Sequence, residues 1–434
     1  MKPSGNSLIL LLILTLTALA LPFFNGLLLM WKTGASLVFA LLVFDFFLMQ
    51  EDIDIQFKRE VKQNISVGVL SKVVLRLENR HKFDFLVIIH DHHPDNSVAN
   101  LLPIKAVLPK KSAFAARYDF LPQKRGDMIF KGVDLIVLSR FGLWWKKSFI
   151  KAEDRIKVFP NFREIKKYAL LASDNRLSRA GVKQKQRRGE GNDFHQLREY
   201  RSGDNFRKID WNATSKYLKL ISKEYQDERD QQIVFMLDSG RRMRHTKDNR
   251  SHLDQALNAM LLLSHVASGQ DDAVGFMTFG GSNKWYPPKK GRAAVRHILN
   301  QIYDIQSSAS AADYLTAAKK MLALQKRRAL IILITNTRME DNEDLSKAVK
   351  MLKKRHFVII ADLREEFLDK TLQASVRNYE TALKFQSVSA YLEDRKQNHK
   401  VLRHQGIVTL DLLADQLPAA LVNNYLMIKA SQKL

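Results

Sequence analysis

The segment Ile233-Val-Phe-Met-Leu-Asp-Ser-Gly-Arg-Arg-Met243 decides the fold of the C-terminal half. An apolar run without polar alternation reads as a short strand covered on both faces, and the aspartate that follows it falls where strand gives way to loop. The same grammar returns in Ala273-Val-Gly-Phe-Met277, Ala329-Leu-Ile-Ile-Leu-Ile334, Phe357-Val-Ile-Ile-Ala361 and Gly406-Ile-Val-Thr-Leu410. Helical periodicity fills the intervals, over residues 253–266, 293–305, 314–324, 344–354 and 417–429. Strands of this kind joined by helices predict a mostly parallel sheet with helices on both sides. Residues 231–434 are therefore read as one doubly wound α/β domain, with Asp238 at the carboxyl edge where such sheets bind ligands.

Working toward the N-terminus, residues 161–230 break this pattern with the basic run Lys183-Gln-Lys-Gln-Arg-Arg188 and a dense mixture of charged, aromatic and glycine residues. The run lacks the interleaved aromatics of a nucleic-acid patch and reads as a solvated or lipid-facing connector. Residues 51–160 alternate in short segments, such as Lys72-Val-Val-Leu-Arg-Leu-Glu78 and Phe85-Leu-Val-Ile-Ile89, separated by turns at Asn79-Arg80, Pro94-Asp95-Asn96 and Lys124-Arg-Gly-Asp127. That spacing predicts a β-sandwich. Within it, Arg125-Gly126-Asp127 is read as a turn between strands rather than an adhesion motif. His90-Asp-His-His93 could ligate a metal from a loop, but its place at a strand end favours solvated turn chemistry.

The first fifty residues are apolar. No charged side chain occurs from Ser4 to Trp31, and a second apolar run over 27–49 is interrupted only by Lys32 and Asp45. Two transmembrane helices, about 8–24 and 27–49, fit these lengths within residues 1–50. A cleaved signal peptide is the competing reading, which the directly following second run opposes. Asp45 is costly inside hydrocarbon, and its position near the end of the run places it at the interface. The net charge of +25 lies almost wholly beyond residue 50; the positive-inside tendency counts short flanking loops and supports a cytoplasmic body only weakly. The chain has no cysteine, which excludes disulfides, thiolate zinc sites and cysteine nucleophiles without fixing a compartment.

Two resemblances sharpen this outline. The stretch Phe235-Met-Leu-Asp-Ser-Gly-Arg-Arg-Met243 resembles the first metal-site loop of a von Willebrand factor A domain, where an Asp-x-Ser-x-Ser loop, a later Thr and a later Asp hold magnesium. Here the two serine positions hold Gly240 and Arg242, the threonine position holds Ala312, and Asn336 stands where an Asp is expected. Asp238 and Ser239 thus mark a degenerate site, for which no cofactor is expected; a guanidinium at 242 can take the cation's place as charge partner of Asp238. The segment from Asp193 to Lys216 is similar to the signature of a bacterial membrane-anchored family called domain of unknown function fifty-eight, carried by Phe194, Leu197, Arg198, Glu199, Tyr200, Gly203, Asp204, Arg207, Ile209, Asp210 and Trp211, with Lys216 a departure from the family's Arg. Alternating charge around Tyr200 and Trp211 suits a salt-bridge network clamping sandwich to α/β domain, or else a partner-docking surface.

The family resemblance implies a multi-pass protein of the bacterial inner membrane with its bulk in the cytoplasm. It also implies work beside a MoxR-type AAA+ ATPase in the assembly or maturation of envelope proteins. The expectation is a non-enzymatic adaptor or scaffold whose partners are the bilayer, that ATPase and other envelope proteins, with no nucleic acid. No Walker loop is present, since Pro287-Pro-Lys-Lys-Gly291 lacks its spacing and its Ser or Thr, so nucleotide chemistry would belong to the partner. The alternatives are a hydrolase with an unrecognised site, for which the histidines form no nucleophile–base motif, and a nucleic-acid-binding protein drawn by the +25 charge.

Overall fold

Leucine-rich sequence without internal polar alternation gives helix α1 (Gly5–Ala20) and helix α2 (Leu28–Leu48). At 1.5 Å per residue the 21-residue α2 is about 31 Å long, close to the ~30 Å of a hydrocarbon core. Among the described residues, α2 is the one helix long and apolar enough to cross a membrane; α1, with 16 residues, is shorter. The computed structural model describes residues 1–20, 28–50, 54–161, 193–202, 205–226, 231–247 and 250–431, so the end of the expected span 8–24 and the basic run 183–188 lie outside the described residues. Two units emerge, Met1–Asn161 and Phe162–Leu434.

In the first unit, period-two alternation builds two sheets. Strands β1 (Lys2–Pro3), β2 (Ile55–Glu60), β3 (Asn64–Ser66), β4 (Ser71–Asn79), β5 (Phe85–Asp91), β6 (Ser97–Asn100), β7 (Ile104–Leu108), β8 (Ser112–Pro122), β9 (Gly126–Leu138) and β10 (Trp144–Phe159) pair in the orders β1-β10-β9-β5-β7, with β3 on β10, and β2-β4-β8-β6. Val73, Leu75 and Leu77 of β4 meet Val87, Ile89, Phe120, Phe130 and Leu135 in a single core. A buried polar hub lies inside it: Arg59 binds Asp91 at 2.5 Å and Asp154 at 2.6 Å, and the Tyr118 hydroxyl donates to Asp91 at 2.6 Å. The histidine cluster is therefore split across a strand, with Asp91 facing the core and His92 bound outside to Asp134 at 3.0 Å. Arg125 is buried in the short β8–β9 connection, whereas Gly126 and Asp127, read as part of that turn, already belong to β9 and pair with Val158 and Lys157.

The last turn of α2 is tied to the sandwich. Asp45, fully buried, accepts from the Ser139 hydroxyl at 2.6 Å, and the Trp144 indole donates to the Leu42 carbonyl at 3.0 Å. Pro3 and Lys2 pair with Trp144 and Trp145, so the chain start meets the same end of the sandwich as the close of α2. Asp45 thus avoids the cost of an unpartnered carboxylate in an apolar helix.

The second unit begins with a small module inside the segment read as a connector. Strands β11 (Asp193–Glu199) and β12 (Ile221–Gln226) form an antiparallel hairpin, and helix α3 (Trp211–Tyr217) fills the crossing between them. Then come β13 (Gln232–Asp238), the two-residue pair β14 (Thr246–Lys247) and β15 (Arg250–Ser251), α4 (His252–Ser268), β16 (Ala273–Phe279), β17 (Trp285–Lys289), α5 (Arg292–Ile302), α6 (Tyr314–Leu324), β18 (Leu330–Thr335), α7 (Asn342–Lys353), β19 (Phe357–Arg364), α8 (Glu366–Gln373), α9 (Tyr379–His404), β20 (Val408–Leu413) and α10 (Leu417–Ala430). The sheet runs β17-β16-β13-β18-β19-β20, parallel except for β17 at one edge. Alternate residues of β13 explain its unbroken apolar run: Ile233, Phe235 and Leu237 join one core, and Val234 and Met236 join the other. Gly275 permits the irregular edge, because a Cβ there would lie 2.6 Å from the Tyr286 carbonyl oxygen.

Candidate functional site

The carboxyl ends of β13, β18 and β19 form a polar crest. Asp238 closes β13 fully buried; one carboxylate oxygen accepts from the Gly240 N–H at 2.7 Å, the other from the Thr335 hydroxyl at 2.8 Å. Thr335 in turn receives the Tyr314 hydroxyl at 2.7 Å. Burial pushes the Asp238 carboxyl upward, against the pull of these donors. Gly280 (φ +76) closes on the same carboxylate: a Cβ there would sit 2.9 Å from its oxygen.

Ser239 is spent on the backbone, its hydroxyl donating to the Phe279 carbonyl at 2.8 Å. The expectation for Arg242 holds in part. Its charge pulls the Asp238 carboxyl down, but its direct ion pairs are with Asp341 and, at 3.0 Å, Glu340, which the loop after β18 brings within its reach. Asp238, Gly240, Arg242, Ala312 and Asp341 enclose a cavity of ≈ 10 Å³, about the space of one water. A hard divalent cation needs six or more oxygen ligands. This donor set does not fit magnesium: Asp238 is committed to internal donors, Ala312 has no oxygen in its side chain, and a guanidinium holds the second carboxylate.

Beside this point lies a second network that sequence spacing did not reveal. Asp362, fully buried at the end of β19, receives the Thr337 hydroxyl at 2.5 Å, meets His399 Nε2 at 2.8 Å and pairs with Arg395 at 2.9 Å. Burial alone would raise its carboxyl, but Arg395 and His399 hold it below the usual carboxylate range. Arg395 also donates to Asp411 and to the carbonyls of Thr337 and Leu363, at 3.0, 3.1 and 3.0 Å. These bonds fasten α9 across the crest. Nearby, burial pushes the His252 imidazole down to about 4.

The signature module is built differently. Ile209, Ala213 and Ile221 make its small core, and Asp210 caps α3, accepting from the N–H groups of Asn212 at 3.0 Å and Ala213 at 3.2 Å. The Ala213 N–H and Lys223 hold the Asp210 carboxyl below its ordinary range. Among the described charges, Glu199 pairs with Lys219 at 2.9 Å in the open, and Arg207 is exposed. Arg198 binds the Glu199 carbonyl at 3.1 Å, and Tyr200 stacks on Phe206 with centroids 5.6 Å apart. Gly203 and Asp204 lie outside the described residues, as does the side chain of Phe194. Large apolar side chains are instead turned outward: Leu218 is 90% exposed, Phe206 73%, Trp211 68% and Tyr217 60%. Trp211 was in the signature; Phe206, Tyr217 and Leu218 were not, although an apolar residue just past a helix start or end is the signal that would have marked them.

Residues 196–405 match the family described as "Protein of unknown function DUF58", a span that takes in the signature from Leu197 to Trp211 and the crest through His399. A protein of Bacillus subtilis (strain 168), "Uncharacterized protein YeaD", is 20% identical over 200 residues, which are 44% of this chain and 46% of that protein. The chain thus spans less than half the length of that relative. Among solved structures, similarity extends to the ASH/PapD-like domain of human CEP192 (14% identity, 25% of this chain and 87% of that one, TM-score 0.19). It extends also to native alpha-2-macroglobulin from Escherichia coli (12% identity, 25% of this chain and 17% of that one, TM-score 0.21). TM-scores this low carry no fold argument.

Proposed function

We propose that the chain is a non-enzymatic adaptor held at a bilayer, whose signature module docks a protein partner. The partner class is a MoxR-type AAA+ ATPase acting in assembly or maturation of envelope proteins. The observation that carries this reading is the outward presentation of Phe206, Trp211, Tyr217 and Leu218 on one small module. Aromatic residues beside arginine, here Arg198 and Arg207, are the side chains that dominate protein–protein binding energy. The α/β unit is read as von Willebrand factor A-like, a scaffold rather than a catalyst, with Asp238 and Ser239 in a site that takes no metal.

The same reading places the chain in a bacterial inner membrane with two spans and the body on the cytoplasmic side. Pairing of Lys2–Pro3 with β10, beside the end of α2, supports an even number of crossings.

The test is binding of a purified MoxR-type ATPase from the same genome to the full chain in detergent. Trp211→Ala with Leu218→Ser is expected to weaken binding at least about tenfold, the effect of losing one hot-spot residue. Hydrogen exchange on β11 and β12 verifies that the variant module still folds. Unchanged affinity in a folded variant, or no binding by the parent chain, overturns the adaptor reading.

A further inference from the structure

Four connections lie at one end of the sandwich: the entry from α2 into β2, and the β4–β5, β7–β8 and β9–β10 turns, as the pairing of Asn79 with Ile55 and Ser112, and of Phe85 with Leu108, requires. The β9–β10 turn does more than lie near α2. It runs beside the helix, with Ser139 on Asp45, the Trp144 indole on the Leu42 carbonyl and Phe141 against Phe44, ring centroids 6.4 Å apart. Leu42 stands six residues before the end of α2, about 9 Å along the axis. A helix of about 31 Å that fills a ~30 Å hydrocarbon core therefore carries this turn down to the boundary of acyl chains and headgroups.

The side chains at this end suit that depth. Phe141 is 47% exposed and Phe83 41%, although both are large and apolar. The Arg140 guanidinium lies over the Phe83 ring at 4.1 Å, so cation and aromatic face out together. The ammonium groups of Lys82, Lys110 and Lys111, on the adjoining turns, pair with no carboxylate among the described residues. The acidic groups here are Asp45, buried on Ser139, Asp54, Glu78, which binds Arg80 at 3.4 Å, and Asp84, which accepts the main-chain N–H of Lys110 at 2.7 Å; Glu51 and Asp52 lie outside the described residues.

We infer that this end of the sandwich is an interfacial foot: Phe83 and Phe141 enter the acyl–headgroup boundary, and Arg140, with Lys82, Lys110 and Lys111, contacts phospholipid phosphate. The foot rests on the reading that α2 spans the bilayer. It adds that the sandwich is seated on the membrane rather than hung from a flexible tether. Aromatic rings prefer that layer, and cations there gain from anionic headgroups.

The chain has no cysteine, so single-cysteine variants of the full protein can be labelled without background. An environment-sensitive fluorophore at Phe83→Cys, Phe141→Cys and, at the opposite end, Lys124→Cys is read in phosphatidylcholine–phosphatidylglycerol vesicles that contain headgroup-nitroxide lipid. Quenching at 83 and 141 about twofold or more above that at 124 is expected for interfacial residues. Arg140→Glu with Lys82→Glu should reduce the quenching at 141, and replacing phosphatidylglycerol by phosphatidylcholine should reduce it less if phosphate alone is recognised. A fourth label, Leu37→Cys, reports the bilayer core through acyl-chain nitroxides. Strong quenching at 37 with equal quenching at 83, 141 and 124 overturns the foot and leaves the span standing. No quenching at 37 overturns the span, and the foot with it.

Discussion

Replacing Arg395 by leucine strands a buried carboxylate. Arg395 is 4% exposed and Asp362 fully buried, and the guanidinium bridges Asp362, Asp411 and two backbone carbonyls. Breaking a buried pair from one side costs roughly 3–5 kcal/mol, because the remaining charge stays desolvated. The Thr337 hydroxyl and His399 Nε2 still bond Asp362, which puts the expected cost near the low end, about 3 kcal/mol. The assay is hydrogen exchange on β13, β18 and β19, whose protection reports opening of this sheet. A cost of about 3 kcal/mol speeds exchange roughly a hundredfold. Adding Asp362→Asn to Arg395→Leu removes the stranded charge and should recover about 1–2 kcal/mol, a coupling that independent sites do not show. The single variant's deficit should also shrink on acidification, as Asp362 without its guanidinium takes up a proton. Additive effects of the two substitutions, or a loss below about 1 kcal/mol for Arg395→Leu, refute the reasoning.

Three further outcomes follow from the same structure. His252 is buried neutral with its imidazole pushed down to about 4, so its contribution is complete above the unfolded value of 6.5 and is lost as pH falls toward 4, by at most about 3 kcal/mol; urea unfolding at stepped pH should show that slope, and His252→Asn should flatten it. Magnesium at millimolar concentration should leave the thermal midpoint unmoved, because Arg242 already holds Asp341; a magnesium-dependent rise that disappears in Asp238→Ala would reverse the donor-set argument. Asp210→Ala removes the cap of α3, so the amides of Asn212 and Ala213 should exchange faster while β13 and β18 keep their protection.

The sheet was legible because its strands are apolar on both faces and short; Tyr314–Leu324 falls where the periodicity puts it, and α2 falls within a residue of its expected bounds at each end. Helix α9 was not legible, and the reason is physical. Its buried residues are Arg395, His399 and Leu402, so it docks through ions and hydrogen bonds and shows no apolar stripe. Edge strand β17 carries Pro287 and Pro288, which argue against a strand unless it is an edge. The connector hid a folded hairpin, because a core of Ile209, Ala213 and Ile221 is too small to mark a period. At the crest, Asp238 could be picked out from its position after the strand. The partner of Arg242 could not, since Asp341 arrives from a loop about a hundred residues away and no local spacing encodes it.

A tethered guanidinium and a bound ion differ in how they would control the crest. A bound divalent ion is a ligand, so its occupancy, and the state it favours, varies with concentration. An arginine on the chain is always present and always charged, so its pairing with Asp341 favours one arrangement of the crest under all ionic conditions. Arg395 and His399 add a second fixed cross-link from α9 to Asp362. A switch that moved α9 would have to break the buried Arg395–Asp362 pair at a cost of several kcal/mol, more than most effector couplings supply. In the signature module, by contrast, the Glu199–Lys219 pair is exposed and Phe206, Trp211, Tyr217 and Leu218 face outward.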